Sequence, residues 1–460
     1  MTFNFYLHSL PATVTQFYKT TQLGITFMKL ANLSFLLIAA SLLGGCEPRQ
    51  TNPDLEVAHG DIESPLLYVW AGDEDLNEGD TDFLAVIDSD PKSTTYGNVI
   101  TTTPIGVAGT NPHHAEPVAP RGALLFANGY DSGRTFLFDL SDPRSPELKG
   151  ELGQLDNFKY PHSFLRLDDG TLLATLQYGN GSEVGNPGGL ARFDSSATLI
   201  DIASAKDPAF EGEVIRPYAV EAIPELDRVV TTGRTMNIFT EQAADIVQIW
   251  SLSDLNLLKT LRVPRVAAVA SPECVLGIGV ICDAEQYPAE AQPFESRVMS
   301  DGSVLMNTLM CGLYRISDID TEEPNIELVL NYPELAGCAV PAVIGHYYIL
   351  PVTVGETVIV LDMSNPADIK EVSRFATPGY QPHWAAADPK KSRVVVTSSG
   401  PSLTNTVLML DFNVETGELS LDERFGSKEF PRAGLSFYRE SWPHGETGTA
   451  IPHAAFFGSN

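Results

Sequence analysis

Short apolar segments separated by polar turns run along the chain from about residue 65. Typical examples are FLAVID, which begins at Phe83, and TVIVLDMSNP, which begins at Thr357. Segments of about 4 to 8 residues that are rich in Val, Ile, Leu and aromatic residues, and bounded by Gly, Pro, Asn or Asp, are typical of β-strands. The pattern therefore predicts an all-β protein built from many short strands.

A repeat becomes visible when the segments that contain a Pro-His pair are aligned. Each unit has a short strand, a turn and a strongly apolar strand, and several continue into a third strand that ends in an acidic turn, as in TFLFDLSDP. Two units have an aromatic residue in place of the histidine, namely Tyr218 and Phe294. A sixth unit, GCAVPAVIGHYYILPV, lies between the last two of the five whose first prolines are Pro112, Pro161, Pro217, Pro293 and Pro382. A period of roughly 40 to 50 residues, lengthened by insertions, is typical of β-propeller blades.

The seventh unit is divided between the two ends of the chain. The C-terminal IPHAAFFGSN contains the start of a unit, whereas residues 64–91 contain the later strands and no start. Joining the two segments closes the ring and leaves no exposed sheet edge. We therefore predict a seven-bladed β-propeller over residues 65–460, whose closing blade is shared between the N- and C-terminal segments. Six or eight blades are the alternative counts.

Four of the aligned units have a histidine directly after the first proline. These residues are His113, His162, His383 and His453. Because the first strand of each blade lines the central channel, residues at one position of several first strands converge around the propeller axis. Imidazoles gathered in this way are typical of a transition-metal site.

Three other residues near these units are candidates for separate reasons. Successive residues of a strand point to opposite faces, so His114 joins the group only if the strand begins after it or contains a bulge. Glu116 is a candidate to orient an imidazole through its free N–H. A fifth Pro-His pair, at His444, lies in the segment that leads into the closing blade. The candidate ligands are thus His113, His114, His162, His383, His444 and His453, and no catalytic residue is assigned. The alternative is that each histidine is an ordinary hydrogen-bonded residue.

The residue types narrow the chemistry. An all-imidazole ligand set suits zinc, copper, iron or nickel, and outside the cytoplasm we expect copper, with another transition metal as the alternative. The chain has no G-x-S-x-G, H-E-x-x-H or phosphate-loop motif, so a lyase or hydrolase that uses the same histidines with a different metal is a weaker alternative. The 59 acidic and 29 basic residues give a net charge of −30, which argues against a nucleic-acid partner.

The N-terminal segment is typical of a targeting signal rather than of a folded domain. Lys29, the apolar stretch after it and the sequence LGGC that ends at Cys46 resemble a bacterial lipoprotein signal. We expect residues 1–46 to be a leader whose true start is Met28, lipidation at Cys46, and a flexible tether over 47–64. An uncleaved signal anchor is the alternative. The prediction is a lipid-anchored protein on the periplasmic side of the envelope, more consistent with the outer than the inner membrane.

Four cysteines follow Cys46, and disulfides are permitted outside the cytoplasm. Cys274 and Cys282 lie in a segment that interrupts the repeat and are candidates for a disulfide. Cys311 and Cys338 either pair or remain buried thiols. No CxxC motif is present, so a thioredoxin-like or zinc-ribbon interpretation has no support.

Four segments of the N-terminal half carry a family resemblance. They are DFLAVIDSDPKSTTYGNVI at 82–100, PHHAEP at 112–117, RTFLFDLSDPRSPEL at 134–148 and GGLARFD at 188–194. Together they resemble the selenium-binding protein family, whose bacterial members include copper-dependent methanethiol oxidases. The resemblance implies a periplasmic β-propeller in which histidine-bound copper and oxygen convert methanethiol to formaldehyde, hydrogen sulfide and hydrogen peroxide.

The resemblance also assigns histidines by position. His113 and His114 match the family's double histidine, His162 matches its next one, and either His444 or His453 matches its C-terminal one. His383 has no family counterpart. Animal members carry a selenium-binding cysteine in the strand that corresponds to LLYVWAGD, and this strand has no cysteine here. Selenium binding through that thiol is therefore not expected.

These observations together lead to one functional hypothesis and one alternative. The hypothesis is an envelope-anchored, copper-dependent oxidase that acts on a small sulfur-containing substrate with oxygen. The alternative is a non-catalytic propeller lipoprotein that binds a metal or a partner, because a propeller fold alone does not imply an activity.

Overall fold

The computed structural model describes residues 66–74, 80–179, 186–237, 241–264, 292–332, 334–398, 404–445 and 448–458. The leader, Cys46, the tether and the Cys274–Cys282 pair lie outside the described residues, so they stay predictions. Regular structure in the described ranges consists of β-strands and two 3₁₀ turns, Pro208–Phe210 and Pro224–Leu226. No helix in this part of the chain has the length and apolar character that crossing a membrane requires.

The strands form seven antiparallel sheets, which are the blades of a propeller. Blade 7 contains the first three strands of the chain, β1 (Leu66–Asp73), β2 (Phe83–Asp88) and β3 (Val99–Pro104). Blade 1 contains β4 (Pro112–Ala115), β5 (Leu124–Gly129), β6 (Arg134–Asp139) and β7 (Glu147–Leu152). Blade 2 contains β8 (Lys159–Arg166), β9 (Leu172–Tyr178), β10 (Gly189–Phe193) and β11 (Leu199–Ser204). Blade 3 contains β12 (Pro217–Ile223), β13 (Arg228–Gly233), β14 (Ile246–Ser251) and β15 (Leu257–Arg262).

The remaining blades follow in chain order. Blade 4 contains β16 (Pro293–Val298), β17 (Val304–Thr308), β18 (Gly312–Ser317) and β19 (Asn325–Asn331). Blade 5 contains β20 (Ala342–Ile344), β21 (Tyr347–Val352), β22 (Thr357–Asp362) and β23 (Lys370–Ala376). Blade 6 contains β24 (Pro382–Ala387), β25 (Arg393–Ser398), β26 (Thr406–Phe412) and β27 (Leu419–Leu421), and the short β28 (Leu435–Ser436) also pairs with β26. The last strand, β29 (Ala450–Gly458), pairs with β1.

The pairing of the two chain ends confirms the predicted closure. Strand β29 runs antiparallel to β1 from Leu66 opposite Gly458 to Asp73 opposite Ala450. Blade 7 therefore has the order β29-β1-β2-β3, with its first strand from the C-terminus and its other strands from the N-terminus. The fold is all-β with seven blades, as the repeat predicts.

Burial follows the position of a strand within its blade. Middle strands such as β2, FLAVID, are buried at every position because neighbouring sheets cover both of their faces. Fourth strands such as β7, ELKGEL, and β23, KEVSRFA, are largely exposed and carry the charged residues. A disulfide joins Cys311 of blade 4 to Cys338 at the start of blade 5, with a Cα–Cα distance of 5.1 Å. Both cysteines are fully buried.

Buried polar side chains on, or directly after, the second strands join blades 1 to 6 each to the blade that follows. Asn128 donates to Pro161 O at 2.6 Å, and Thr175 donates to Tyr218 O at 2.6 Å. The same type of bond is made by Thr232, Asn307, Thr353 and Thr397 to the blade that follows each of them. These bonds satisfy the carbonyl groups at the start of the first strands and fix where those strands begin along the channel.

Candidate metal centre

A β-bulge opens the first strand of most blades, directly after its proline. In blade 1 the ladder pairs Pro112 with Gly129 and then Ala115 with Ala127, so His113 and His114 both stand opposite Asn128. The Asn128 side chain accepts the N–H of His114 at 2.6 Å, which stabilises the bulged backbone. A bulge breaks the strict alternation of a strand. Both histidines therefore lie in the channel. The bulge is one of the two conditions under which His114 was expected to join the group.

Five imidazole rings from four blades come together in the channel. The ring of His113 lies 4.3 Å from that of His453, 4.6 Å from that of His114 and 5.1 Å from that of His162, measured between centroids. His383 extends the group, with its ring 4.9 Å from that of His453. His162 is fully buried, and His113, His114 and His453 are 3 to 8% exposed.

Hydrogen bonds show which ring nitrogen carries the proton in two of these histidines. Nδ1 of His162 lies 3.2 Å from Tyr218 O, and Nδ1 of His453 lies 2.8 Å from His113 O. Because a carbonyl group only accepts, the proton lies on Nδ1 in both residues and the lone pair lies on Nε2. Ser163 Oγ lies 3.0 Å from His162 Nδ1 and 3.3 Å from His114 Nδ1, so it links two of the rings.

The nitrogen positions fit a bound transition-metal ion. Nε2 of His113 lies 3.2 Å from Nε2 of His162. Two nitrogens that bind one tetrahedral metal ion at about 2.0 Å lie about 3.3 Å apart. One ring nitrogen from each of His113, His114 and His162 lies within 4.8 Å of the others. The cluster could therefore hold a metal, and its donor set does not distinguish copper from zinc, iron or nickel.

Burial keeps the imidazoles neutral. Desolvation of the charged form lowers the pKa of His453 to about 4. It lowers the pKa values of His113, His114, His162 and His383 well below their usual range, and neighbouring histidines lower them further. Neutral rings offer the lone pairs that a metal ion requires, so no proton has to leave them at pH 7.

Buried polar atoms without a hydrogen-bond partner lie beside the cluster. Nε2 of His114 and Oε1 of Glu295 are both buried and unpartnered, and they lie 4.0 Å apart. Nε2 of His383 is also buried without a partner. Such atoms are rare in folded proteins and indicate a place for a ligand or water.

An ion cluster further along the channel holds Glu295 in place. Its Oε2 lies 3.2 Å from Arg297 Nη1, and Glu221 Oε1 lies 3.4 Å from the same nitrogen. Burial raises the pKa of Glu295, and it raises that of Glu221 to about 7. Arg297 opposes both shifts by stabilising the carboxylates.

Two residues predicted for the site lie elsewhere. Nδ1 of His444 bonds to Thr102 Oγ1 at 2.6 Å, and its ring packs on Phe83, so it lies at the outermost strand of blade 7 and not in the channel. The Glu116 carboxylate is bound by Arg166 at 2.7 Å and by the Phe126 N–H at 3.0 Å. It therefore pairs with a guanidinium instead of orienting an imidazole. Of the two C-terminal candidates, His453 is the one in the channel.

Glu295, and not Glu116, is the carboxylate that lies beside an imidazole of the cluster. It follows Phe294 as His114 follows His113, and the same bulge exposes both to the channel. Alignment of the residue after the histidine position would have indicated it. Trp384, in the corresponding position of blade 6, packs edge-on against His114 with ring centroids 4.9 Å apart.

Solved structures share the fold. A hypothetical selenium-binding protein from Sulfolobus tokodaii superposes with a TM-score of 0.63 at 15% identity, over 85% of this chain and 92% of that one. A periplasmic gluconolactonase from Pseudomonas aeruginosa superposes with a TM-score of 0.54 at 13% identity, over 85% of this chain and 99% of that one. At such identities the likeness concerns the fold alone.

Sequence comparison identifies relatives. No protein-family model matches the chain. A methanethiol oxidase from Hyphomicrobium sp is 28% identical over 225 residues, which are 44% of this chain and 49% of that protein. One from Ruegeria pomeroyi is 27% identical over 180 residues, which are 37% of this chain and 36% of that protein. The chain is therefore similar in sequence to methanethiol oxidases, and its fold is similar to that of a selenium-binding protein. Its match spans about half the length, or less, of these curated relatives.

Proposed function

We propose that the protein is a copper-dependent oxidase of a small thiol. The single observation that supports this best is the cluster of neutral, buried imidazoles at His113, His114 and His162 in a chain related to methanethiol oxidases. We further propose that His453, whose ring adjoins that of His113, completes the ligand set. The overall reaction would convert methanethiol, oxygen and water to formaldehyde, hydrogen sulfide and hydrogen peroxide, which balances in all atoms.

Copper bound by these histidines would supply a site for the thiolate and accept its electrons. The residues of the chain have three tasks beside it. Tyr218 O and Ser163 Oγ hold His162 in one tautomer, so that Nε2 faces Nε2 of His113. Burial of the rings excludes bulk water. His383 Nε2, which is buried without a hydrogen-bond partner, would form a hydrogen bond with the bound substrate.

Access to the cluster favours a small substrate. His113 and His453 are less than a tenth exposed, and His162 is fully buried. Tyr218 and Phe294 fill the histidine position of blades 3 and 4 and give the channel an aromatic wall, with their rings 4.9 Å apart. A thiol of few atoms can pass such a wall, and the apolar rings suit an alkyl group.

We also propose that the protein is tethered by lipid on the periplasmic side of the envelope. The support is the LGGC sequence that ends at Cys46 and the polar segment that follows it. Incorporation of labelled palmitate into the wild type and its loss in Cys46→Ser would support the anchor. Equal labelling of both would contradict it.

The test of the oxidase uses oxygen consumption by copper-reconstituted protein supplied with methanethiol. We expect copper-dependent oxygen uptake with matching formation of hydrogen peroxide, and no uptake by the His113→Gln/His162→Gln double variant. Bound copper without turnover would support the non-catalytic binding protein instead. Absence of bound copper after reconstitution would contradict both the oxidase and the copper carrier.

A further inference from the structure

Arg234 lies at the mouth of the histidine channel. It follows Gly233, the last residue of β13, and Gly233 pairs with Pro217 at the start of β12. The backbone N–H of Arg234 donates to Arg216 O at 2.8 Å. These contacts place the residue at the end of blade 3 where the channel-lining strand begins, next to the level at which the histidines lie.

The guanidinium group of Arg234 extends over the aromatic wall of the channel. Its Cζ lies 4.9 Å from the ring centroid of Phe294 and 5.9 Å from that of Tyr218. Both rings occupy the position in their strands that His113 and His162 occupy in blades 1 and 2. Cation–π contact with two rings restrains the plane of the guanidinium.

The charge of Arg234 has no acidic partner within 4.0 Å among the described residues. Nη1 donates to Gln292 Oε1 at 3.3 Å, a neutral acceptor, and Nε is buried without a partner. Asp245 acts on its charge only from farther away. The guanidinium therefore keeps donors available at the channel mouth.

Other arginines near the channel are neutralised. Arg166 pairs with Glu116, Arg216 with Glu241, and Arg297 with Glu221 and Glu295. A part-buried cation without a counter-charge is costly unless an anion binds to it. The net charge of −30 makes a chance anion site in this protein less expected still.

We infer that Arg234 binds an anionic group of the substrate, so that the substrate class is a small thiol that also carries a carboxylate or a similar acid group. This inference rests on the proposed function, because the thiol sulfur would face the histidines while the acid group faces Arg234. The planar fork of a guanidinium matches a carboxylate with two parallel hydrogen bonds. Methanethiol has no group for it to bind.

The test compares 3-mercaptopropionate with 3-mercaptopropionamide, which has the same length and no charge. Anaerobic isothermal titration calorimetry on metal-free and on copper-loaded protein measures the affinity for each. We expect the wild type to bind the acid at least about tenfold more tightly than the amide, as one charge-assisted pair predicts. Arg234→Gln should lose this preference, and Arg234→Lys should keep part of it. The matched control is Arg374→Gln, an exposed arginine of β23 paired with Glu371, which should keep all of it.

Several outcomes would overturn the inference. They are equal affinities for acid and amide in the wild type, no binding of either, or an unchanged preference in Arg234→Gln with an unchanged unfolding temperature. The proposed function is judged separately. A preference for the acid in protein that never takes up copper would support Arg234 as an anion site and contradict the oxidase. Copper-dependent oxidation of methanethiol without any preference for the acid would contradict the role of Arg234 alone.

Discussion

Blades 1 and 4 begin with the same backbone and carry different chemistry. In each, a proline is followed by a two-residue bulge, and an asparagine of the second strand donates to the next blade. The bulge presents His113 and His114 in blade 1, and Phe294 and Glu295 in blade 4. The fold thus builds the same backbone position in most blades, and the side chain there decides whether the position presents an imidazole, an aromatic ring or a carboxylate to the channel.

The largest expected effect comes from removing ligands on the histidine side. In the His113→Gln/His162→Gln double variant, we expect copper binding to be lost, because the two nitrogens that lie 3.2 Å apart are both removed. Elemental analysis after reconstitution measures the bound metal. His346→Gln, at an exposed histidine outside the channel, is the control and should keep full loading. Unchanged loading in the double variant would mean that the metal binds elsewhere.

The two asparagines allow a direct comparison of the blades. Asn128→Ala and Asn307→Ala each remove buried hydrogen bonds, so we expect each to lower the free energy of unfolding by about 3 kcal/mol. Only Asn128→Ala should also weaken metal binding, because its side chain accepts the His114 N–H. Denaturant unfolding measures the first effect and competition with a copper chelator the second. Equal weakening of metal binding in both variants would show that the bulge of blade 1 does not position the histidines.

The fold could be predicted because its signals are repeated. A proline and a channel residue recur in most units, an apolar second strand follows them, and the half-units at the two chain ends complement each other. The same alignment indicated His113, His162, His383 and His453, which the structure brings together. The side chain of His114 could not be placed by alternation, because its direction depends on a bulge that Asn128 stabilises from another strand.

Two predicted residues show the limit of short motifs. The Pro-His pair at His444 is not followed by an apolar second strand, and the segment packs on Thr102 and Phe83 instead. Glu116 is close to His113 in the sequence, but Arg166, 50 residues away, binds its carboxylate. Contacts between distant segments of this kind leave no local pattern in the sequence.

Substitution of one acidic residue in blade 1 and one in blade 4 should have a smaller effect on metal binding than removal of the histidines. In Glu295→Gln we expect metal affinity to fall about tenfold, as is typical when a group that supports a ligand is changed. In Glu116→Gln we expect the unfolding temperature to fall and metal affinity to stay the same, because its partner is Arg166. Chelator competition and thermal unfolding separate the two. A loss of metal affinity in Glu116→Gln and not in Glu295→Gln would show that Glu116, and not Glu295, supports the metal site.

The smallest effect is a pH dependence of the metal-free protein. An unfolded histidine binds a proton near pH 6.5, whereas folded His453 remains neutral until about pH 4. The unfolded state gains protons first, so stability should fall as pH drops through that window. In His453→Gln, the slope of the free energy of unfolding against pH, measured by denaturant unfolding, should be smaller by about 1.4 kcal/mol per pH unit. Glu221, with a pKa of about 7, gains its proton first in the folded state and therefore stabilises the protein as pH falls. As a single group it offsets only part of the destabilisation caused by the five channel histidines. Equal slopes in both proteins would mean that His453 is protonated when folded.

We expect the channel histidines to hold one transition-metal ion. Anomalous scattering from crystals of copper-loaded protein, recorded on both sides of the copper absorption edge, tests it most directly. We expect a single copper peak bound by Nε2 of His113 and Nε2 of His162, with a nitrogen of His114 beside them. A peak at His444 or His346, or an empty channel in fully loaded protein, would contradict it.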